Sequence, residues 1–182
     1  MEWKKKWETQ PGLMLITVVI WSVFIGLCIE TGAILFNFVY SLFRPIAAHN
    51  LYQGLDLSAL MAQDKWHYSG VLSIIVYTNA LKAYMFFLMI RIFLKINLMH
   101  PFSEQVSELI SQISQISIQI AVVIIFNGAY ITWLAKRGFE LPDLGSFTGG
   151  AFEYILMGII IYAISKVFKR GLEIQSENEL TI

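Results

Sequence analysis

Residues 13–43 read LMLITVVIWSVFIGLCIETGAILFNFVYSLF, and Glu30 is the one charged residue in the run. A helix needs about 20 apolar residues to cross the ~30 Å hydrocarbon core of a bilayer. This run exceeds that, and it decides the fold class. Three further stretches qualify, 70–94, 103–134 and 149–168. They are divided by Arg44-Pro45, His100-Pro101 and Pro142-Asp143-Leu144-Gly145, residues that break helices and make turns. The expectation is an all-α, integral membrane four-helix bundle forming a single membrane domain over 1–182, with a tail over 169–182.

Composition points the same way. Of the 182 residues 57% are hydrophobic, too many for an ordinary soluble domain of this size. Acidic and basic residues balance at 13 each, so no net charge draws the chain to nucleic acid, and direct nucleic-acid binding is not expected. The single cysteine, Cys28, excludes a disulfide or paired-thiol redox site within one subunit. Lys4-Lys5-Lys6 ahead of the first run resembles a signal peptide, but the run is too long and has no small-residue cleavage site. Leu27 before Cys28 also argues against a lipoprotein signal. The segment is read as a mature helix.

Lysine and arginine near span ends are retained on the cytoplasmic side. With both termini cytoplasmic, Lys4, Lys5, Lys6, Arg91, Lys95, Lys166, Lys169 and Arg170 fall inside, and Arg44, Lys65, Lys136 and Arg137 outside. Eight against four favours that orientation. Trp3, Trp7, Trp66, Trp133, Tyr52, Tyr68 and Tyr130 lie near span ends, as aromatic belts do; Trp21 does not.

Ionisable residues at membrane depth are costly, and they are functional suspects by default. Counted from Leu13, Arg91 and Lys166 at ~1.5 Å per residue, Glu30 is ~26 Å up, Lys82 ~14 Å and Glu153 ~20 Å. Lys82 and Glu153 are therefore expected to pair, with Asn79 and Asn127 beside them at similar depth, and Glu30 to sit in the outer half near the headgroups. Such a cluster is either interhelical glue or a proton- or cation-coupled path of a small transporter or channel.

In the first outer loop Leu57, Leu60, Met61 and Trp66 form a short amphipathic pattern suited to the membrane interface. His49, Asp56, Asp64 and His67 are metal-ligand types, but two such residues one turn apart arise by chance too often to carry a metal site. No nucleophile with its base and no phosphate loop is legible; no catalytic residue, metal or cofactor is expected, and the chain is read as non-enzymatic.

The third span is too long for a bilayer, and its start, SEQVSELISQISQISIQI (103–120), projects inward. Val106, Leu109, Ile110, Ile113, Ile116 and Ile120 make an apolar stripe along it. Ser103 suits the N-cap and Glu104 the helix dipole. The stripe needs a cover: the chain's own helices, a second copy or a soluble partner. Beyond Lys169-Arg170, Gly171 ends or loosens the fourth helix. LEIQSENELTI, which follows, is a short strand, a helical turn or a frayed end.

HPFSEQ (100–105) opening the third helix and FKRGLEIQSENELTI (168–182) closing the chain, with Phe168, Gly171, Leu172, Glu177, Leu180 and Thr181 most specific, resemble the bacterial domain-of-unknown-function family 2975. The resemblance is read as covering nearly the whole chain. It implies a small multi-pass protein of the bacterial cytoplasmic (inner) membrane, of unassigned biochemistry, often encoded beside a short helix-turn-helix regulator. The partners it puts in view are the bilayer, that cytosolic regulator and a second copy of the chain. The cytoplasmic docking candidates are His100, Pro101, Phe102, Ser103, Leu109, Ile113, Gly171, Leu172, Glu177, Leu180 and Thr181.

Overall fold

The computed structural model describes residues 11–95 and 102–179, and these form helices and turns with no strand among them. The helices are α1 (Pro11–Phe43), α2 (Ser58–Gln63), α3 (Lys65–Lys95), α4 (Glu104–Lys136), α5 (Gly145–Thr148) and α6 (Ala151–Glu179), with a 3-10 turn over Pro45–His49. The four long ones, α1, α3, α4 and α6, are each long and apolar enough to cross a membrane. An all-α architecture with four helices able to span a membrane is as expected, and it fits a multi-pass membrane protein.

Local chemistry sets the ends. Helix α3 starts at Lys65 rather than near residue 70, because the Asp64 carboxylate accepts the backbone N–H groups of Trp66 and His67 at 2.7 and 2.9 Å. Ser103 caps α4 as expected, accepting Val106 N–H. At the far end of α4, Gly138 takes φ +88°, its N–H bonds to the Ala135 carbonyl, and Phe139 N–H bonds to that of Leu134. This is the Schellman stop, in which a left-handed residue lets the last carbonyls be satisfied. Gly171 does not end α6; the open choice for the tail resolves as helix through Glu179.

Packing is serial: α1 lies on α3, α3 on α4, and α4 most extensively on α6. The two central helices are the better covered. On α1, Leu15, Phe36 and Phe43 are 67%, 69% and 78% exposed, a surface that lipid accommodates and water does not.

Cross-helix contacts give the register. Ser41 meets Tyr68, Glu30 meets Asn79 and Phe24 meets Phe87 between α1 and α3. His67 meets Tyr130, Tyr77 meets Gln119 and Met85 meets Ser117 between α3 and α4. Ser114 donates to the Gly158 carbonyl at 2.9 Å, tying α4 to α6. On this ladder Arg91 and Lys166 are level with Leu109, and α6 begins level with about residue 124, ~18 Å short of the end of α4. The connection 137–150 therefore descends beside α4. Phe139, Leu141, Leu144 and Phe147 pack into the same core as Tyr130, Ile131 and Leu134.

That core closes one end of the molecule, the capped end. It takes in Leu51, Leu55, Leu57, Leu60 and Met61 from the first loop, with Tyr68, Val71, Leu72 and Ile75 of α3 and Ile34 of α1. Leu57, Leu60 and Met61 thus face protein, correcting the expectation that they lie on the membrane interface; only Trp66, 87% exposed, points away. The loop is compact because its backbone is hydrogen bonded. Leu57 N–H reaches the Ala48 carbonyl, and Asn37 donates to that of Leu51 at 2.6 Å. Gln53 and Gly54, at φ +45° and +84°, form a tight turn closed by Leu55 N–H on the Tyr52 carbonyl. A second core, with Met85, Leu88, Leu109, Ile113, Ile120 and Ile124, fills the other half toward the tail end.

Candidate functional site

At mid-length of the helices a polar group runs across the row. Asn79, buried on α3, donates through Nδ2 to Glu30 Oε1 on α1 at 2.9 Å. One turn away on α3, Lys82 is half-buried, and the carboxylate acting on it electrostatically is that of Glu30. Its Nζ lies 6.0 Å from the centre of the Tyr154 ring on α6, within cation–π range. Lys82 is thus placed between a carboxylate from one outer helix and an aromatic face from the other, with no ion pair among the described residues.

The expected four-residue cluster is only partly assembled. Glu30, expected near the headgroups, joins it because Val18 rather than Leu13 stands across from Arg91; counted from that level, Glu30 and Asn79 are both ~18 Å up. Glu153 has about the expected depth but the wrong phase. It lies in the first turn of α6, exposed, and makes no ion pair with Lys82 among the described residues. Successive helical side chains point ~100° apart, and it is Tyr154 that faces Lys82. Asn127 is buried on α4, but its register puts it level with about residue 72, ~10 Å toward the capped end. Its Oδ1 has no hydrogen-bond donor among the described residues. Tyr154 is the member that sequence reasoning missed; helical phase relative to Gly158, which faces α4, was the available signal.

At the tail end, His100, Pro101, Leu180 and Thr181 lie outside the described residues, as do Lys4, Lys5 and Lys6. Phe102 packs against Phe168 with ring centres 5.0 Å apart. It also lies directly over Gly171, where an added Cβ would sit 2.6 Å from the ring. The missing side chain of Gly171 makes room for Phe102, so the two ends of the candidate docking region are in contact. Leu109 and Ile113 are buried in the second core; the chain's own helices cover the stripe there. Leu172 is half-buried, and Glu173, Ile174 and Glu177 are exposed, on turns of α6 that run ~12 Å past the start of α4.

The metal-ligand types of the first loop have structural duties instead. Asp56 accepts the Ser58 N–H and hydroxyl at 2.9 and 2.6 Å and faces His49 at 3.3 Å. The Ser58 hydroxyl above all, then its N–H, holds the Asp56 carboxyl below the usual range against a smaller desolvation effect, with His49 adding to the lowering. Asp64 is lowered likewise, chiefly by the His67 N–H. His67 Nδ1 is 2.9 Å from Tyr130 Oη, and its ring is edge-on to Tyr130, Trp133 and Phe139. Among the described residues no three His, Cys, Asp or Glu side chains gather as metal ligands do.

A family model described as a protein of unknown function, DUF2975, matches residues 44–182. The match begins immediately after α1, so it covers less of the chain than the likeness first suggested, and Glu30 lies ahead of it. No curated protein matches the chain, and no solved structure does.

Proposed function

The chain belongs to the DUF2975 family, and from that premise we propose that it is a non-enzymatic membrane partner of a small cytosolic helix-turn-helix regulator. In this reading it sits in the bacterial cytoplasmic membrane with both termini inside, so that the tail end meets the cytosol. The observation that carries the proposal is the projection of α6. Beyond Arg170 the helix continues to Glu179, past the start of α4, and presents Glu173, Ile174 and Glu177. Ile174 is 46% exposed and lies beyond Lys169 and Arg170, taken in this reading as the inner edge of the bilayer; an apolar residue there gains by burial against a partner. The Phe102 clasp on Phe168 and Gly171 couples that projection to the connection between α3 and α4. Arg91 and Lys166, level with each other, mark the cytoplasmic boundary in this reading.

The test is co-purification of a helix-turn-helix regulator encoded beside the chain, using the full-length protein and a form truncated after Lys169. Loss of the regulator on truncation supports the reading; equal recovery from both would remove the tail from it. A second reading, a small transporter or channel, draws on Lys82 standing between Glu30 and Tyr154 at mid-length. Reconstituted vesicles that leak no protons or cations, or leak equally with Lys82→Met, would eliminate it.

A further inference from the structure

The exposed side of α4 carries a regular seam. Glu108, Gln112, Gln115, Gln119, Val122, Phe126, Ala129 and Trp133 follow one another at alternating steps of four and three residues, and all but the half-buried Gln112 are exposed. That alternation keeps these residues on one face of α4 along its length, the geometry that a partner helix needs. None of the described helices covers it. The amides are the unusual part: counted from the level of Leu109, Gln115 stands ~9 Å and Gln119 ~15 Å into a ~30 Å core, the latter at its centre. Gln119 uses one N–H on Tyr77 Oη at 2.6 Å. Gln115 makes no hydrogen bond among the described residues. Lipid chains offer amides neither donors nor acceptors, and interhelical amide bonds are a recognised cause of association between membrane helices.

We infer that this seam is a self-association surface, and that its occupant is the same seam on a second copy inserted the same way up. In a parallel two-fold pair, like residues oppose one another. A glutamine is its own complement, because each amide both donates and accepts. Gln115 and Gln119 would meet their counterparts in the lower half, and Val122, Phe126 and Trp133 theirs in the upper half. Shallow grooves flank the seam, one lined by Ser73, Tyr77, Val122 and Phe126 and the other by Ser114, Gln115, Ile118 and Gly158; these receive the neighbouring ridges. Glu108 opposite Glu108 is the unfavourable element. It lies at the level of Arg91 and Lys166, where headgroups and salt screen it, and it holds Gln112 at 3.4 Å.

Disulfide trapping of the full chain in membranes tests this. Cys28 is exposed on α1, away from the seam, so the wild-type protein is its own control. In a Cys28→Ser background, Val122→Cys and Phe126→Cys, which leave both amides in place, are expected to give linked dimers at least tenfold above wild type and above Ile160→Cys, an exposed position on α6. Equal yields at all positions, or none, would overturn the inference and leave the seam to lipid or to a different protein. Adding Gln115→Leu and Gln119→Leu to the Val122→Cys chain should cut its yield several-fold; an unchanged yield would refute pairing through the amides. Gln115 is exposed and makes no hydrogen bond among the described residues, whereas Gln119→Leu also gives up the bond to Tyr77, so protease resistance of the capped end is measured for each variant to check the fold.

Discussion

The capped end and the tail end of the same four helices are built on different terms. At the capped end, residues 44–64 and 137–150 fold into a core with the helix ends: Leu51, Leu57, Leu60 and Tyr68 have no exposed surface, and hydrogen bonds tie the loop to α1 and α1 to α3. At the tail end, the described contacts across the α3–α4 connection are an aromatic clasp, Phe102 on Phe168, and a bond from Lys95 Nζ to Gln105 at 3.1 Å. Both halves have a buried core, but at the capped end the connections themselves contribute to it, Leu51, Leu57 and Leu144 among them, whereas the second core is drawn from the helices alone.

The largest effect should come from attacking burial. Leu60→Ala deletes a fully buried side chain, and a loss of about 2–5 kcal/mol is expected from transfer and cavity terms. The matched truncation at the other end, Leu172→Ala, removes a half-buried side chain and should cost under about 1 kcal/mol. Unfolding in mixed micelles, followed by tryptophan fluorescence, gives both numbers. Similar losses at the two ends would erase the distinction.

Next in size is Gly171→Val. The new side chain collides with the Phe102 ring, and overpacking of this kind costs about 1–3 kcal/mol when the surroundings resist. Here the effect should be local: faster proteolysis in the α3–α4 connection, with amide exchange at the capped end unchanged. Loosening of both ends would show that the clasp holds the whole row together.

The mid-length site lies between the two regimes. Asn79→Leu should cost about 1 kcal/mol, the usual worth of an interhelical hydrogen bond in a membrane. Glu30→Gln keeps an acceptor for Asn79 Nδ2 and should cost less than Glu30→Leu. If the order of the two Glu30 variants were reversed, apolar packing and not the hydrogen bond to Asn79 would be what joins α1 to α3 at this level.

What the sequence made legible follows from what kind of information each feature needs. The spans were readable because apolar length alone defines them, and the Ser103 cap because capping is local. Depth was nearly right for Lys82 and Glu153, since rise per residue is constant. Phase was not: whether Glu153 or Tyr154 faces Lys82 depends on which side of α6 meets α4, and Gly158 and Ser114 decide that through tertiary packing. Glu30 was misplaced for a related reason. Its level depended on matching Leu13 to Arg91, and only contacts between α1 and α3 shift that match to Val18. The capped core was the larger omission. The spacing of Leu57, Leu60 and Met61 was recognised, but an amphipathic turn fits a membrane surface and a protein core equally well, and the choice is made by Leu51, Leu55 and Leu144 arriving from elsewhere in the chain.

The smallest effect probes whether the capped end has any electrostatic contribution beneath its packing. Asp56 is held below the ordinary carboxylate pKa of about 4 chiefly by the Ser58 hydroxyl and N–H. A carboxyl whose pKa is depressed in the folded state adds stability that is fully present above the unfolded value and is lost as pH falls through the folded one. The α2 end of the cap should therefore loosen as pH falls below about 4, and by no more than a few tenths of a kcal/mol, because Asp56 and its partner His49 are both largely exposed. Amide exchange at Ser58 and Leu60, compared at pH 6 and pH 3 after correction for intrinsic rates, reads this directly. In Asp56→Asn, whose amide oxygen still accepts from Ser58 but does not titrate, the pH dependence should vanish while the cap stays closed. An acid response that survives this substitution would assign it to another carboxylate at the same end, with Asp64 at the start of α3 the next to test.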